Sequence, residues 1–292
     1  MNIPIGWSIA LVFTAIGYHF AVGDFGFLWV PAEFAIIGGA GLGALIAANK
    51  SRNLKNVFFA MKRVIVQKES SKEENSQLLS LMFELLQQIK RNAVSIDGDI
   101  RDPFSSDIFK KYPRVLERTR LVVFLQDYFS MRIEGTITAI QLDTVMSQEI
   151  DVLDKESREP AESLDILADS MPAFGIVAAI IGVIAALGSL GEAGVDAAAV
   201  GQAVGKALIG TLLGVFIAYA FLAPVARTLH QLADSDLRPF KAVKEILIAD
   251  LSKFSPWIAV EYGRKVLYSD QRPSMDELDE NIRSTSGRRF RE

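Results

Sequence analysis

The 292-residue chain contains no cysteine and only two histidines, His19 and His230, far apart in sequence. Disulfide scaffolds, thiolate metal sites and cysteine nucleophiles are therefore excluded. Neither histidine has the neighbours that a metal or nucleophile centre would need. Basic residues are missing from two long stretches: no Lys or Arg precedes Lys50, and Lys206 stands alone between Arg158 and Arg227. With 31 Lys and Arg against 35 Asp and Glu, the net charge of -4 offers no basic face to DNA or RNA, so no nucleic-acid partner is expected. The N-terminus also lacks a basic segment ahead of its apolar run, so a cleaved signal peptide is not expected and the run is retained. Strand-like alternation is scarce, and no internal repeat is evident.

What the chain does have is apolar bulk. Half of its residues are hydrophobic, and the mean hydropathy of +0.25 is high for a soluble protein. About 20 apolar residues cross a bilayer as a helix. Residues 3–22, 31–48, 172–190 and 207–226 meet that requirement. The expectation is an all-α membrane protein with four transmembrane helices. Lys50, Arg52 and Lys55 follow the second span, Arg158 precedes the third and Arg227 follows the fourth. The loops at 23–28 and 191–205 hold Asp24, Glu192 and Asp196, apart from which they carry no charge. Since Lys and Arg accumulate on the cytoplasmic side, both termini are expected inside. The division expected is 1–49 for the first two spans, 50–168 for a helical cytoplasmic domain, 169–226 for the last two spans and 227–292 for a helical cytoplasmic tail.

The charged segments carry helical signals. Leu142, Val145, Met146, Ile150 and Leu153 recur at a spacing close to 3.6, with Val152 off the stripe. "NSQLLSLMFELLQQI" at 75–89 behaves alike. Pro239 is expected to open a helix toward Phe254, Ser274 and Glu277 to form a capping box, and the final "TSGRRFRE" to fray.

The spans themselves are smooth. Helices in lipid associate by close approach over small residues, because apolar bulk gains little there. Gly175, Ala178, Ala179, Gly182, Ala185 and Ala186 share a face of the third span; Gly210, Gly214 and Ala218, with Thr211 beside them, share one of the fourth. Gly39 and Gly43 on the second are expected to pack within the chain. Three such faces exceed what a four-helix monomer needs, which points to self-assembly or a partner helix.

Ion conductors keep an ionisable group at membrane depth, yet Thr211 is the polar side chain well inside the third and fourth spans. Lys206 falls at the outer boundary and can snorkel. His19 reads as an interface residue, Glu33 as a boundary carboxylate, Asp169 as a helix cap and His230 as an interfacial or surface residue. Any ion conducted would therefore need a carboxylate lent by another protein. Pro172 comes early in its span, where first-turn amides lack partners. Pro224 comes late, removes the amide that would bond Ala220 and should bend the helix. The two prolines mark either flex points or ordinary span punctuation.

"DSMPAFGIVAAIIGV", "LIGTLLGVFIAYAFLAPVA", "AVEYGRKVLYSDQRPS", "PAEFAIIGGAGLGALI" and "RDPFSSDIFKKYPRVL" together resemble the MotA/PomA family, the A subunits of bacterial flagellar stators. The resemblance covers nearly the whole chain. It implies a homo-oligomeric ring, a pentamer, in the bacterial inner membrane around two copies of a MotB-like single-span B subunit. That partner carries the membrane aspartate and anchors to peptidoglycan. Inward ion flow is coupled to torque on the rotor protein FliG, with no cofactor and no enzymatic step. Pro172 and Pro224 match the family's functional prolines, and Thr211 matches its fourth-span threonine on the ion path. Ala179 stands where sodium-type members carry threonine, which resembles the proton-type pattern. Of the family's rotor-facing pair, Asp97 occupies the acidic place, but Ile89 stands eight residues before it, leaving Lys90 and Arg91 as the nearest bases. The rival within the superfamily is an ExbB/TolQ-type energy transducer with three spans and an outside N-terminus.

Overall fold

A computed structural model describes residues 3–66, 71–188 and 197–286; Glu192, Asp196 and most of the terminal "TSGRRFRE" lie outside the described residues. Among them every regular element is helical. Contacts divide the chain into two units, Met1–Lys68 with Ser157–Gln231, and Glu69–Glu156 with Leu232–Glu292.

The first unit holds the apolar helices. α1 (Ile3–Ala21) is joined by a short 3-10 turn to α2 (Pro31–Ala48), whose first residue is a proline, a favoured place because a first-turn amide has no intrahelical acceptor. α3 (Ser51–Val66) follows almost at once. The first unit also takes the C-terminal part of α8 (Ala139–Gly188), α9 (Ala197–Phe216), a π-helical segment at Ile217–Leu222 and the start of α10 (Ala223–Leu251). Four of these helices are long and apolar enough to cross a membrane. Most side chains of α1 are exposed, including Ile5, Phe13 and Phe20, which suits a lipid solvent. Trp7 packs on Phe221 of the π segment, with ring centroids 5.4 Å apart.

Three expectations about helix ends fail. Pro172 does not open a helix: α8 runs through it and through Pro160 without interruption. The run from Ala161 to Met171 is rich in good helix formers, and the price of one proline inside a long helix is a single lost bond and a local clash. Asp169 is therefore an exposed mid-helix residue, not a cap. Pro239 likewise lies inside α10 instead of opening a helix. α9, which carries the fourth apolar stretch, begins at Ala197, so Lys206 lies in its third turn.

The second unit is a helical cluster around a large apolar core. It contains α4 (Lys72–Asn92), α5 (Asp97–Arg101), α6 (Pro113–Leu116) and α7 (Thr119–Glu134), with α11 (Pro256–Val266) and α12 (Met275–Ser286). The N-terminal part of α8 contributes Leu142, Met146 and Ile150 to this core, while Val152 is exposed, as its place off the stripe implies; Val145, expected on the stripe, is exposed as well, which corrects that reading. The Ser274–Glu277 capping box forms: the Ser274 amide donates to Glu277 Oε2 at 2.7 Å, and the Glu277 amide donates to Ser274 Oγ at 3.2 Å.

"AVEYGRKVLYSDQRPS" is the clamp of this unit. Ala259 and Val260 are buried. A Cβ on Gly263 would overlap Ile246 and sit 2.7 Å from the Ala242 carbonyl oxygen, so only glycine fits. The buried Arg264 guanidinium donates to both Glu261 carboxylate oxygens, at 2.5 and 2.7 Å, and to the Pro273 carbonyl at 2.9 Å. Gln271 ties in twice, donating to Ser235 Oγ at 3.0 Å and accepting from Asn75 Nδ2 at its backbone oxygen, also at 3.0 Å.

Burial would raise the Glu261 carboxyl, but the hydrogen bonds and charge of Arg264, with Lys265 adding to them, hold it below the ordinary glutamate range. A carboxyl with a depressed folded pKa stabilises the fold above its unfolded value, and that stabilisation is lost as pH falls through the lowered value. Melting temperatures of the solubilised chain, recorded from about pH 6 to about pH 3, should fall on the acid side of the ordinary glutamate pKa. The fall should be shallower for Glu261→Gln; superimposable acid limbs would remove this role for the pair.

Candidate functional site

In the first unit α8 and α9 cross with backbone against backbone. A Cβ on Gly214 would lie 2.7 Å from the Met171 carbonyl oxygen and 2.9 Å from Gly175 Cα. One on Gly175 would lie 2.8 Å from the Gly210 carbonyl oxygen and 3.2 Å from Thr211 Cα. One on Gly182 would lie 2.6 Å from Ala207 Cβ, and one on Gly210 would lie 3.2 Å from Ala178 Cβ. Real side-chain carbons do not sit closer than 3.0 Å, so Gly214, Gly175 and Gly182 require glycine, while Gly210 is tight. The small-residue faces read from sequence do meet each other.

α2 closes one side of the seam. Its contact glycine is Gly41, where a Cβ would lie 3.0 Å from Met171 Sδ and 3.4 Å from Leu167 Cδ1. Gly39 and Gly43, expected to pack within the chain, have nothing within 4 Å of such a Cβ, which corrects that reading. Helical periodicity identifies which glycines share a face; it does not say which face is covered. Ile37, Met171, Ala178 and Ala218 form the small apolar core here.

Ala179 is buried in the seam, its backbone nitrogen 3.4 Å from the Cβ position of Gly210. Thr211 is half-buried at the Gly175 crossing. Pro172 is half-buried one residue past Met171. Its ring supplies no amide to the Ala168 carbonyl. Close by, the Ser170 hydroxyl donates to the Ile166 carbonyl at 2.7 Å. Pro224 lies two residues past the π segment, where the Ala223 amide reaches back to the Ala218 carbonyl. The expected local distortion is therefore a widened turn, a way of absorbing a lost ladder bond that recurs at functional sites. The Thr228 hydroxyl donates to the Pro224 carbonyl at 3.0 Å.

Sequence reasoning missed one residue. Glu33 is no bystander at the boundary: its Cγ lies 3.3 Å from the Cβ position of Gly210 and its Oε1 3.7 Å from that of Gly182. The place of Glu33 three residues into α2, on a span otherwise free of charge, was the available signal. His230 is also more than a surface residue, since its Nε2 and Asp165 Oδ2 are 2.7 Å apart.

The three candidate rotor residues belong to the second unit, and they do not share one helix. A 3-10 turn at Ala93–Ile96 separates the end of α4, with Lys90 and Arg91, from Asp97 at the start of α5. Lys90 Nζ donates to the Phe254 carbonyl at 2.9 Å. Asp97 pairs with Arg101 at 2.9 Å. Arg91 is exposed.

A four-span helical unit with a glycine seam belongs to a known class. Residues 121–241 match the MotA/TolQ/ExbB proton channel family, and residues 4–93 match the motility protein A N-terminal family. The chain is 37% identical to motility protein A of Salmonella typhimurium, and equally to that of Escherichia coli, over 285 residues, or 97% of this chain and 96% of each relative. It is 31% identical to the chemotaxis protein LafT of Vibrio parahaemolyticus over 97% of this chain and 99% of the relative. Two solved structures share the fold. The C. jejuni MotAB structure has a TM-score of 0.73 and 17% identity over 94% of this chain and 98% of that one. The flagellar MotAB stator complex from Bacillus subtilis has a TM-score of 0.67 and 23% identity over 88% and 92%. The chain belongs to the motility protein A family.

Because Gly214 faces backbone, Gly214→Ala should force α8 and α9 apart and lower the stability of the purified chain by about 1–3 kcal/mol. Gly39→Ala, which adds a methyl in open space to a helix, should be neutral or slightly stabilising. Thermal unfolding of both variants in one detergent is the check; equal effects would mean that the seam is not close-packed.

Proposed function

We propose that this chain is the A subunit of a proton-driven flagellar stator, coupling inward proton flow through a complex with a single-span MotB-like subunit to torque on the rotor protein FliG. The observation that carries this reading is the α8–α9 seam, smooth and backbone-lined, with Thr211 and Ala179 in it and Pro172 beside it. Family membership and the MotAB complexes that share the fold support the partner. In this reading several copies, five by family resemblance, form a ring in the bacterial inner membrane. Residues 50–168 and 227–292 are cytoplasmic, as are both termini.

The seam, filled by its own two backbones, holds α8 and α9 together as one wall against which a partner helix can turn. The partner's aspartate, held in a low-dielectric groove, has a raised pKa, so it is neutral when loaded and charged when emptied. The available work is roughly 2.3 kcal/mol per charge for each 100 mV, comparable to the penalty of burying one charge at a protein–lipid seam. Ala179 leaves the groove without the hydroxyl of sodium-type members. Glu33 sits about ten residues along α8 from Pro172, roughly 15 Å by helical rise, and supplies a carboxylate at the outer approach. Pro172 and Pro224 are the soft points that let the rim yield as each proton passes. Lys90, Arg91 and Asp97 are the rotor-side candidates; Lys90 and Arg91 are both exposed.

An ExbB/TolQ-type transducer is less well supported, since the N-terminal match and the full-length relatives are motility proteins. Reconstituted liposomes test the proposal. The chain alone should hold a proton gradient, whereas with its partner it should dissipate the gradient, and Pro172→Ala or Pro224→Ala should suppress that flux. Selective leakage by the chain alone would overturn the borrowed-carboxylate reading.

A further inference from the structure

Where α2 ends and α3 begins, the first unit opens a cleft of about 470 Å³ lined by Asn49, Lys50, Arg52, Asn53, Glu159, Glu162, Ser163 and Ile166 among others. Its floor is a polar knot. Asn53 Nδ2 donates to Asn49 Oδ1 at 2.7 Å and to Ser163 Oγ at 2.8 Å. Asn49 Nδ2 in turn donates to the Leu45 carbonyl at 2.8 Å. Asn53 is only 8% exposed, and its Oδ1 has no hydrogen-bond partner among the described residues. That oxygen is closed to solvent, so it belongs to the knot beneath the cleft.

The surroundings fix the depth of the cleft. α2 is one of the four candidate spans. Between Lys50 and Val66 the chain carries Lys50, Arg52, Lys55, Lys62 and Arg63 and no carboxylate. α3 nevertheless exposes Phe58, Phe59 and Met61, with Lys62 Nζ 5.4 Å from the centre of the Phe58 ring. A helix with exposed aromatics and only basic charge suits the headgroup layer of a bilayer. Ile166, on the cleft wall, is 58% exposed. With α2 taken as a span, the opening falls at headgroup level, with apolar side chains beside it.

The walls carry both signs of charge. Lys50 and Arg52 come from the α2–α3 junction, and Glu159 and Glu162 come from α8. We propose that this cleft seats the headgroup of a zwitterionic phospholipid with a primary amine, a phosphoethanolamine lipid. The phosphate faces Lys50 and Arg52, and the ammonium, with three N–H donors, faces the two glutamates. A glycerol headgroup brings only negative charge against Glu159 and Glu162. A choline headgroup has the right charges but no N–H to donate. The proposal rests on α2 being a membrane span and is independent of ion flow.

Native mass spectrometry of the purified full-length chain in detergent, with phosphatidylethanolamine, phosphatidylcholine and phosphatidylglycerol added in turn, is the test. Phosphatidylethanolamine should be retained at least about threefold better than phosphatidylcholine, the scale of one partly exposed ion pair with its hydrogen bonds. The double variant Glu159→Gln, Glu162→Gln should erase that preference. Should the double variant not fold, the exposed single change Glu162→Gln should reduce the preference at an unchanged melting temperature. Lys50→Gln should weaken retention of all three lipids. Soluble glycerophosphoethanolamine at the same concentration should bind far less than the lipid, since the acyl chains hold the headgroup at that depth. Equal retention of the amine and choline lipids, preference for phosphatidylglycerol, or occlusion of the cleft by a second copy of the chain would each overturn the proposal.

Discussion

Backbone meeting backbone where α8 crosses α9 is the contact on which the first unit depends. The Met171 carbonyl faces Gly214, and the Gly210 carbonyl faces Gly175, at separations that no Cβ could share. In lipid no hydrophobic driving force presses two helices together, so association rests on dispersion and close fit. That requirement explains why alanine and glycine fill a span where leucine would have been sufficiently apolar. In the proposed stator the same contact also holds Thr211 and Ala179, the candidate ion-path residues, at the crossing itself.

Both prolines lie in helices that continue past them, so neither works as a terminus. Each removes one ladder bond in mid-helix, and around Pro224 the loss coincides with a π turn at Ile217–Leu222. A helix that stays continuous while lacking bonds at one level has a defined place to bend. Such a place is of most use beside a seam that another helix must move along. The second unit is built differently, with aromatic packing such as Phe124 on Phe240 and buried pairs such as Arg132 with Asp250 at 2.7 Å.

Much of this was legible in the sequence, because span length and charge asymmetry are one-dimensional signals. α2 runs over 31–48, the limits read from the sequence, and the Leu142–Met146–Ile150 stripe is buried. What was not legible is three-dimensional. A local rule places proline at helix starts, whereas the helix-forming residues on both sides of Pro172 carry α8 through it. Four glycines of α2 fall within six residues, and nothing in their order says that Gly41 is covered while Gly38, Gly39 and Gly43 are open. Glu33 looked like an edge residue because sequence gives depth along a span but not the direction of a side chain. The tail motif was recognisable as a string, yet its physical sense, Arg264 clamping Glu261 and Pro273 over a glycine that Ile246 leaves no room to replace, required coordinates.

The absence of cysteine makes the central contact directly measurable. A Cβ on Gly210 lies 3.2 Å from Ala178 Cβ, close to the roughly 3.5–4.5 Å that a disulfide spans. The pair Ala178→Cys with Gly210→Cys, introduced into the membrane-inserted chain and exposed to a mild oxidant, should close rapidly within one polypeptide, while Ala178→Cys with Gly39→Cys should not. A 178/210 pair that stays reduced in the folded chain would contradict the close crossing of α8 and α9.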